Sequence, residues 1–203
     1  MKIDIDKILS YSLELEYDFS NPILSCLSDS YVETYKQKRS YIKFISALSI
    51  LNNNFSYLEM GTEIGSSLIA YLYGNKSNKI TSLDEMSVDD CVKYLNKRGL
   101  KVNSLIPEYL KQRIEFIVGS ALNYKFNSKY DVIFVDTTHN GIAEVEIMRN
   151  LELQNMLNDC VILFDDIYFN NAMFNFWNSL KFEKRDLSKE LNRRTGFGVV
   201  LVQ

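Results

Sequence analysis

The sequence contains few of the residues that bind zinc or form disulfides. It has one histidine and three cysteines in 203 residues, and Cys26, Cys91 and Cys160 are widely spaced, with no Cys-x-x-Cys pair. A zinc site needs closely spaced thiolates or imidazoles, and a disulfide framework needs paired cysteines. We therefore expect reduced, mostly buried thiols in a cytoplasmic protein. The sequence predicts neither a zinc site nor a disulfide framework.

A strong excess of one charge is also missing. The chain has 26 acidic and 23 basic residues and a net charge of -3, which disfavours a broad nucleic-acid-binding surface. We interpret the basic pairs Lys38-Arg39 and Arg193-Arg194 as solvated surface. Residues 1–20 contain acidic residues within their first apolar run and no small-residue cleavage site. The sequence thus predicts neither a signal peptide nor a membrane-spanning segment.

The distribution of apolar residues predicts a single α/β domain. Hydrophobic residues make up 46% of the chain, which is enough for a substantial core. Residues 1–54 are interpreted as a helical segment that helps to cover the substrate, with helical spacing at 4–16 and 29–53. Over residues 55–203, near-continuous apolar runs alternate with helical patterns, which is typical of a parallel sheet buried on both faces.

Seven strands are predicted in this second part. Five parallel strands are expected at 57–60, 80–83, 114–118, 131–135 and 161–164, separated by helices at 66–73, 88–98, 142–157 and 170–180. Residues 182–187 and 198–202 predict an antiparallel hairpin at one edge of the sheet.

Residues 55–67, FSYLEMGTEIGSS, predict a binding loop for a nucleotide-like cofactor. Gly61 permits a sharp turn after the strand, and Gly65 lets the next helix pack closely. A plain structural turn is the alternative interpretation. Glu63 stands where a dinucleotide fingerprint has its middle glycine, and its charge would repel a pyrophosphate.

Polar residues follow the next two predicted strands, at the edge where open parallel sheets bind ligands. Asp84, followed by Glu85, is placed to accept hydrogen bonds from ribose hydroxyls. The alternative is that Asp84 caps the following helix. Ser120 either contacts an adenine edge or forms a simple turn.

A group of acidic residues follows the fourth and fifth strands. Asp136, Asp165 and Asp166 would repel one another unless a cation lay between them, and carboxylate oxygens suit Mg²⁺, Mn²⁺ or Ca²⁺. Helix capping and hydrogen bonds to backbone amides are the alternative roles. His139, the only histidine, is either structural or a base that accepts a proton beside such an ion.

The motifs YLEMGTEIGSS, SLDEM, VGSA, YDVIFVDTTHN, LNDCVILFDDI and GFGVVLV resemble those of class I S-adenosylmethionine-dependent methyltransferases. The resemblance covers about residues 41–203 and is to the small, metal-dependent O-methyltransferase branch, which includes catechol-type and sugar O-methyltransferases. It implies a Rossmann-like, seven-stranded, mostly parallel sheet with an antiparallel C-terminal edge hairpin and N-terminal helices. Catechol-type enzymes have a catalytic lysine at the position of His139.

The resemblance also implies roles for individual residues. S-adenosylmethionine would contact Glu59, Gly61, Thr62, Gly65, Ser66, Ser67, Asp84, Glu85, Ser120, Ala121 and Asp136. Asp136, Asp165 and Asp166 would hold the divalent ion, most simply Mg²⁺. His139 and Asp136 would be catalytic.

We therefore predict methyl transfer from S-adenosylmethionine to a hydroxyl of a small molecule, such as a sugar or a vicinal diol. A metal-independent methyltransferase acting on an amine or another small metabolite, and a non-catalytic cofactor-binding module, are the alternatives. Neither nucleic acid nor a membrane is an expected partner, and a homo-oligomer is compatible with the sequence. Five aromatic residues either line the acceptor pocket or belong to the core: Tyr168, Phe169, Phe174, Phe176 and Trp177.

Overall fold

The structure, a computed structural model, describes residues 3–24, 27, 29–77, 79–100 and 102–203. Cys91 and Cys160 are buried free thiols within these ranges, as predicted, whereas Cys26 lies outside the described residues. Among the described helices, none has both the length and the apolar character needed to cross a membrane.

From the first strand onward, helices separate most of the strands. The helices are α1 Ile5–Glu14, α2 Asp29–Lys36, α3 Tyr41–Leu51, α4 Ser66–Gly74, α5 Val88–Lys97, α6 Glu108–Lys111, α7 Ile142–Leu153 and α8 Asn171–Ser179, with a 3-10 turn at Pro22–Leu24. The strands are β1 Tyr57–Met60, β2 Ile80–Asp84, β3 Ile114–Val118, β4 Val132–Val135, β5 Cys160–Asp165, β6 Glu183–Asp186 and β7 Phe197–Val202. Strand β3 is followed directly by β4, and β6 by β7.

Two predicted helices differ from the observed ones. The pattern at 29–53 is divided into α2 and α3, because the Ser40 side chain accepts a hydrogen bond from the amide of Ile42 and so begins a new helix. Helix α7 ends at Leu153, before the predicted residue 157. Asn155 has a φ of 54°, a left-handed conformation that a helix does not continue through.

The seven strands form one sheet in the order β3-β2-β1-β4-β5-β7-β6. The first five are parallel, whereas β7 pairs antiparallel with both β5 and β6. The predicted fold class is therefore confirmed. Every residue of β4 and β5 is buried, which explains why these strands have unbroken apolar sequences.

The sheet separates two hydrophobic cores. Alternate residues of each strand point to opposite faces, so that Tyr57 and Phe134 pack with helices α1, α3 and α4, whereas Leu58 and Ile133 pack with α7 and α8. The N-terminal helices thus share the core of the first face. Phe176 and Trp177 on α8 are buried in the second core, which is the core alternative predicted for these two aromatics.

Strand register places the ends of four strands at one edge of the sheet. Met60 of β1 pairs with both Leu83 of β2 and Val135 of β4, and Val135 pairs with Phe164 of β5. In the sheet, β2 lies on one side of β1 and β4 lies on its other side, so the order of the strands reverses at β1. This reversal of strand order is where open α/β sheets bind ligands, so the predicted site residues lie at the expected edge.

Gly61→Ala tests the closest backbone approach at this edge. Gly61 has a φ of 89°, and a Cβ there would lie 1.7 Å from the carbonyl oxygen of Asp136. Urea denaturation should show a loss of at least about 3 kcal/mol in the free energy of unfolding. The matched control is Gly99→Ala, because Gly99 has a φ of 83° but no described atom within 4 Å of the added Cβ. This control should lose only about 1–2 kcal/mol, and equal losses in both variants would contradict the steric explanation.

Candidate active site

A cavity of about 450 Å³ opens at the edge where β1, β2 and β4 end. Seven of the predicted site residues line it, namely Gly61, Asp84, Glu85, Ser120, Ala121, Asp136 and His139. Its volume is in the range of pockets that hold small ligands and cofactors. The sheet edge therefore provides a pocket next to the predicted cofactor loop.

Backbone amides connect the loop after β1 to the end of β2. The amides of Thr62 and Glu63 donate to Oδ2 of Asp84 at 2.7 and 3.1 Å. The hydroxyls of Thr62 and Ser82 lie 2.6 Å apart and are buried. These contacts hold the loop in a fixed position beside the cavity.

The alternative role of Asp84 as a helix cap is not observed. Ser87 caps α5 by accepting a hydrogen bond from the amide of Asp90. Asp84 accepts instead from the amide of Met86, at 3.0 Å, and from the loop amides already described. Its contact with a ribose stays a prediction.

Gly65 provides space at the start of α4. Its φ is 95°, and a Cβ there would lie 2.6 Å from the side chain of Ile106, in the segment before α6. The carbonyl oxygen of Ser66 accepts a hydrogen bond from the hydroxyl of Tyr35 at 2.6 Å, which places α2 against this turn. The space at Gly65 is therefore used by a loop side chain, whereas close packing of the following helix stays a prediction.

Glu59 lies at the centre of the sheet with no exposed surface. The hydroxyl of Tyr57 donates to its Oε2 at 2.7 Å, whereas Oε1 is buried and has no hydrogen-bond partner among the described residues. Burial raises the pKa of this carboxyl to about 8, against the opposing hydrogen bond from Tyr57, and the charge of Asp136 also raises it. A buried oxygen with no partner suits a ligand that brings a donor group or a positive charge.

Ser120 follows β3 as part of a turn, and its backbone carbonyl accepts hydrogen bonds from the amides of Asn123 and Tyr124 at 3.3 and 3.1 Å. Ser120 and Ala121 also line the cavity. The turn interpretation and the adenine interpretation are therefore compatible, because the turn uses only the backbone carbonyl of Ser120 and the residue also lines the cavity.

The loop that contains His139 is organised by Glu144, a residue that sequence reasoning missed. Glu144 is buried in the first turn of α7, where its Oε1 accepts from the amide of His139 and the hydroxyl of Thr137, each at 3.0 Å. Its Oε2 accepts from the amide of Gly141 at 2.7 Å. Glutamate three residues after a helix start is a known capping signal, so the pattern was available in the sequence.

His139 lies between two of the predicted aspartates. Its Nε2 is 3.2 Å from Oδ1 of Asp136 and 3.7 Å from Oδ2 of Asp166. Burial lowers the pKa of the imidazole, but the hydrogen bond and charge of Asp136 and the charge of Asp166 outweigh burial and raise it above 6.5. The site thus brings the two predicted catalytic residues, His139 and Asp136, into contact.

Arg193 contacts both Asp165 and Asp166. Its Nε and Nη2 donate to the two oxygens of Asp165 at 3.0 and 2.5 Å, and Nη2 also donates to Oδ1 of Asp166 at 3.0 Å. The prediction that the Arg193-Arg194 pair is solvated surface is therefore wrong for Arg193, although Arg194 is exposed. Arg193, in the β6–β7 loop, is therefore an ion-pair partner of two of the three predicted aspartates.

The residues as arranged do not fit the predicted divalent ion. Both oxygens of Asp165 are engaged by Arg193, as is one oxygen of Asp166, whereas an octahedral ion needs free carboxylate oxygens. In the described ranges, no group of three or more His, Cys, Asp and Glu side chains has an arrangement that could hold a metal. The ion at Asp136, Asp165 and Asp166 stays a prediction that these contacts do not support.

The strand order and the pocket beside the β1–α4 loop define the class I fold of S-adenosylmethionine-dependent methyltransferases. A family profile described as a methyltransferase domain matches residues 58–167, which is more than half of the chain. The chain therefore belongs to this methyltransferase family, and the predicted class is confirmed. No curated protein matches the sequence.

Solved structures have the same fold. An S-adenosylhomocysteine-bound methyltransferase of Podospora anserina is 14% identical, with a TM-score of 0.59 over 100% of this chain and 89% of that chain. The O-methyltransferase TomG of Streptomyces achromogenes, bound to S-adenosylmethionine, is 16% identical, with a TM-score of 0.58 over 98% and 96%. A Bacillus cereus O-methyltransferase bound to S-adenosylhomocysteine is 18% identical, with a TM-score of 0.56 over 100% and 93%.

The pKa of His139 can be measured directly, because the chain has a single imidazole. An NMR titration should give a midpoint above 6.5 in the folded protein and close to 6.5 in urea. Since the folded pKa is the higher one, the imidazolium stabilises the fold below the unfolded pKa, and this contribution is lost as the pH rises through the folded pKa.

Asp136→Asn should lower the folded midpoint, because it removes the strongest interaction that raises it. Asp89→Asn, an exposed change on α5, is the matched control and should leave the midpoint unchanged. An unchanged midpoint in Asp136→Asn would mean that the pair at 3.2 Å does not set the pKa.

Proposed function

We propose that this protein transfers a methyl group from S-adenosylmethionine to a hydroxyl of a small-molecule acceptor. The observation that supports this proposal most directly is the pair formed by Asp136 and His139 at the wall of the cavity. A carboxylate and an imidazole in contact form a base that can accept the proton of a hydroxyl. A base of this kind is the main chemical requirement for methylating a weakly acidic oxygen.

The cofactor site has the features that a nucleoside with a positive charge requires. Asp84 and Glu85 would contact the ribose, and Ser120 and Ala121 would flank the adenine. Glu63 lines the same cavity, and its negative charge suits a ligand without a pyrophosphate. When bound, the cofactor supplies an electrophilic methyl group on a sulfonium.

Glu59 would neutralise the amino group of the cofactor's methionine portion. Its Oε1 is buried and has no described partner, and burial raises the pKa of the carboxyl, so a cationic donor nearby would favour the ionised form. The chain thus has an acceptor in place before any ligand arrives.

In the proposed reaction, His139 accepts the proton from the acceptor hydroxyl. In the neutral imidazole, the Nε2–H donates to Asp136, which leaves the Nδ1 lone pair to take that proton. The acceptor oxygen forms its bond to the methyl carbon as the carbon–sulfur bond breaks, and S-adenosylhomocysteine leaves. The charges of Asp136 and Asp166 stabilise the resulting imidazolium.

The acceptor would lie against Phe169. The Phe169 ring is 57% exposed, and its centroid is 5.8 Å from that of His139. An exposed aromatic beside the base offers a flat apolar surface to a small ring, and suits a sugar or a catechol-like diol. We propose no step through a metal ion, because Arg193 already contacts the two aspartates after β5.

Glu59→Gln tests the cofactor site. Isothermal titration calorimetry should show at least about tenfold weaker binding of S-adenosylhomocysteine, since the variant keeps the shape but loses the charge that pairs with the amino group. Glu108→Gln is the matched control, because this side chain on α6 is 87% exposed, and its affinity should equal that of the wild type. Equal affinities in all three proteins would refute the role of Glu59.

His139→Gln tests the base. A panel of sugars, catechols, aliphatic alcohols and amines would be offered with radiolabelled S-adenosylmethionine. Turnover of the hydroxyl acceptor should fall at least about 10²-fold, because general-base catalysis is lost, while cofactor affinity stays within about threefold. Methyl transfer to amines alone would support the amine alternative. Cofactor binding without transfer to any acceptor would support a non-catalytic module.

A further inference from the structure

The β6–β7 loop places the guanidinium of Arg193 beside two aspartates, Asp165 at the end of β5 and Asp166, which follows it. We infer that Arg193 is a built-in cation that takes the place of a divalent ion at Asp165 and Asp166 and so positions Asp166 toward His139. This inference rests on the proposed function, because it identifies the cation that pairs with the aspartates of the same site. It adds a positioning residue to that site and removes the need for a metal.

The contacts of Arg193 use the oxygens that a metal would need. Two donors of the guanidinium meet the two oxygens of Asp165, and one of these donors also reaches Oδ1 of Asp166. Thr195 donates its hydroxyl to the same Oδ1. Only Oδ2 of Asp166 is left to face the imidazole, at 3.7 Å from its Nε2.

The ion pairs of Arg193 with Asp165 and Asp166 are largely buried. The side chains of Asp165 and Asp166 are 3% and 13% exposed, and that of Arg193 is 32% exposed. Removing the guanidinium would leave a buried carboxylate without a partner, which is strongly unfavourable. A divalent ion could enter only by displacing Arg193, so the two cations compete for one position.

The loop holds Arg193 in place by several backbone contacts. The amide of Arg193 donates to the carbonyl of Ser188 at 2.8 Å, and the amide of Gly196 donates to the carbonyl of Arg193 at 3.1 Å. The amide of Asp166 donates to the carbonyl of Gly196 at 2.9 Å, which connects the loop to the end of β5. The arginine and the two aspartates therefore belong to one connected unit.

The N-terminal segment supplies the other wall of the arginine site. Cζ of Arg193 lies 4.7 Å from the centroid of the Tyr41 ring, at the start of α3. The same ring is 5.7 Å from that of Phe197 on β7. A planar guanidinium stacked on an aromatic ring and paired bidentately with a carboxylate is a geometry that lysine does not reproduce.

The consequence for the site is a remaining excess of negative charge. One guanidinium pairs with two of the three carboxylates, Asp165 and Asp166, whereas Asp136 and Oδ2 of Asp166 lie 3.2 and 3.7 Å from Nε2 of His139. A divalent ion would instead cancel the excess and disfavour an imidazolium beside it. The inferred arrangement thus matches an imidazole that must accept a proton.

Binding of Mn²⁺ to the full chain tests the inference without using turnover. Electron paramagnetic resonance should detect no stoichiometric binding at about 100 µM Mn²⁺ in the wild type, because Arg193 holds the carboxylates. Arg193→Met should create a site and bind Mn²⁺ at least about tenfold more tightly. Adding Asp165→Asn to that variant should abolish the gain.

Two further variants separate the role of Arg193 from general charge effects. Arg194→Met removes the neighbouring exposed charge and should behave like the wild type. Arg193→Lys loses the bidentate contacts but keeps a positive charge beside the aspartates, so it should still prevent stoichiometric Mn²⁺ binding. Thermal unfolding of each variant would show which proteins are folded.

Stoichiometric binding of Mn²⁺ to the wild type, lost in Asp165→Asn, would overturn the inference. So would an Arg193→Met variant that folds but binds no more Mn²⁺ than the wild type. Either result leaves the proposed methyl transfer intact, because that is tested by His139→Gln. Conversely, a chain that transfers no methyl group but gains a Mn²⁺ site in Arg193→Met would support the arginine role alone.

Chelation should leave wild-type turnover within about twofold, and a greater loss would also overturn the inference.

Discussion

The close approach of β1 and β4 at their carboxyl ends is the constraint on which the rest of the site depends. The backbone at Gly61 passes so near the carbonyl of Asp136 that no side chain fits between them. The amide of Gly61 donates to Leu83 of β2, and the amide of Asp136 donates to Met60 of β1, each at 2.9 Å. The β1–α4 loop and the loop that contains His139 are thereby joined through the sheet itself.

The charge distribution at this edge explains the chemistry that the site favours. Glu59 is fully buried, while Asp84, Asp136 and Asp166 are at most partly exposed. Carboxylates in a partly dry environment favour cationic ligands and stabilise an imidazolium, because their charges are weakly screened there. A sulfonium cofactor matches this environment, whereas a pyrophosphate does not.

Much of the architecture was predictable because it depends on local patterns. Runs such as VIFV and CVILF have the apolar character of strands covered on both faces, and the residues after them necessarily meet at one edge of a parallel sheet. The capping glutamate Glu144 was also visible in its spacing, although it was missed. Arg193 was misjudged because a basic pair in a charged loop usually faces solvent, and the need for a cation was assigned to a metal.

The sequence by itself determined the order of strands and helices, the turn at Gly61 and Gly65, and the acidic residues at the strand ends, since these follow from periodicity and from the absence of a Cβ. Only the tertiary structure decided which partners those acids have. The β6–β7 loop returns beside β5 and brings Arg193 to Asp165, while α3 brings Tyr41 from the other end of the chain. Such contacts join residues far apart in sequence, and the burial of their charged groups, which no local pattern shows, makes them strong.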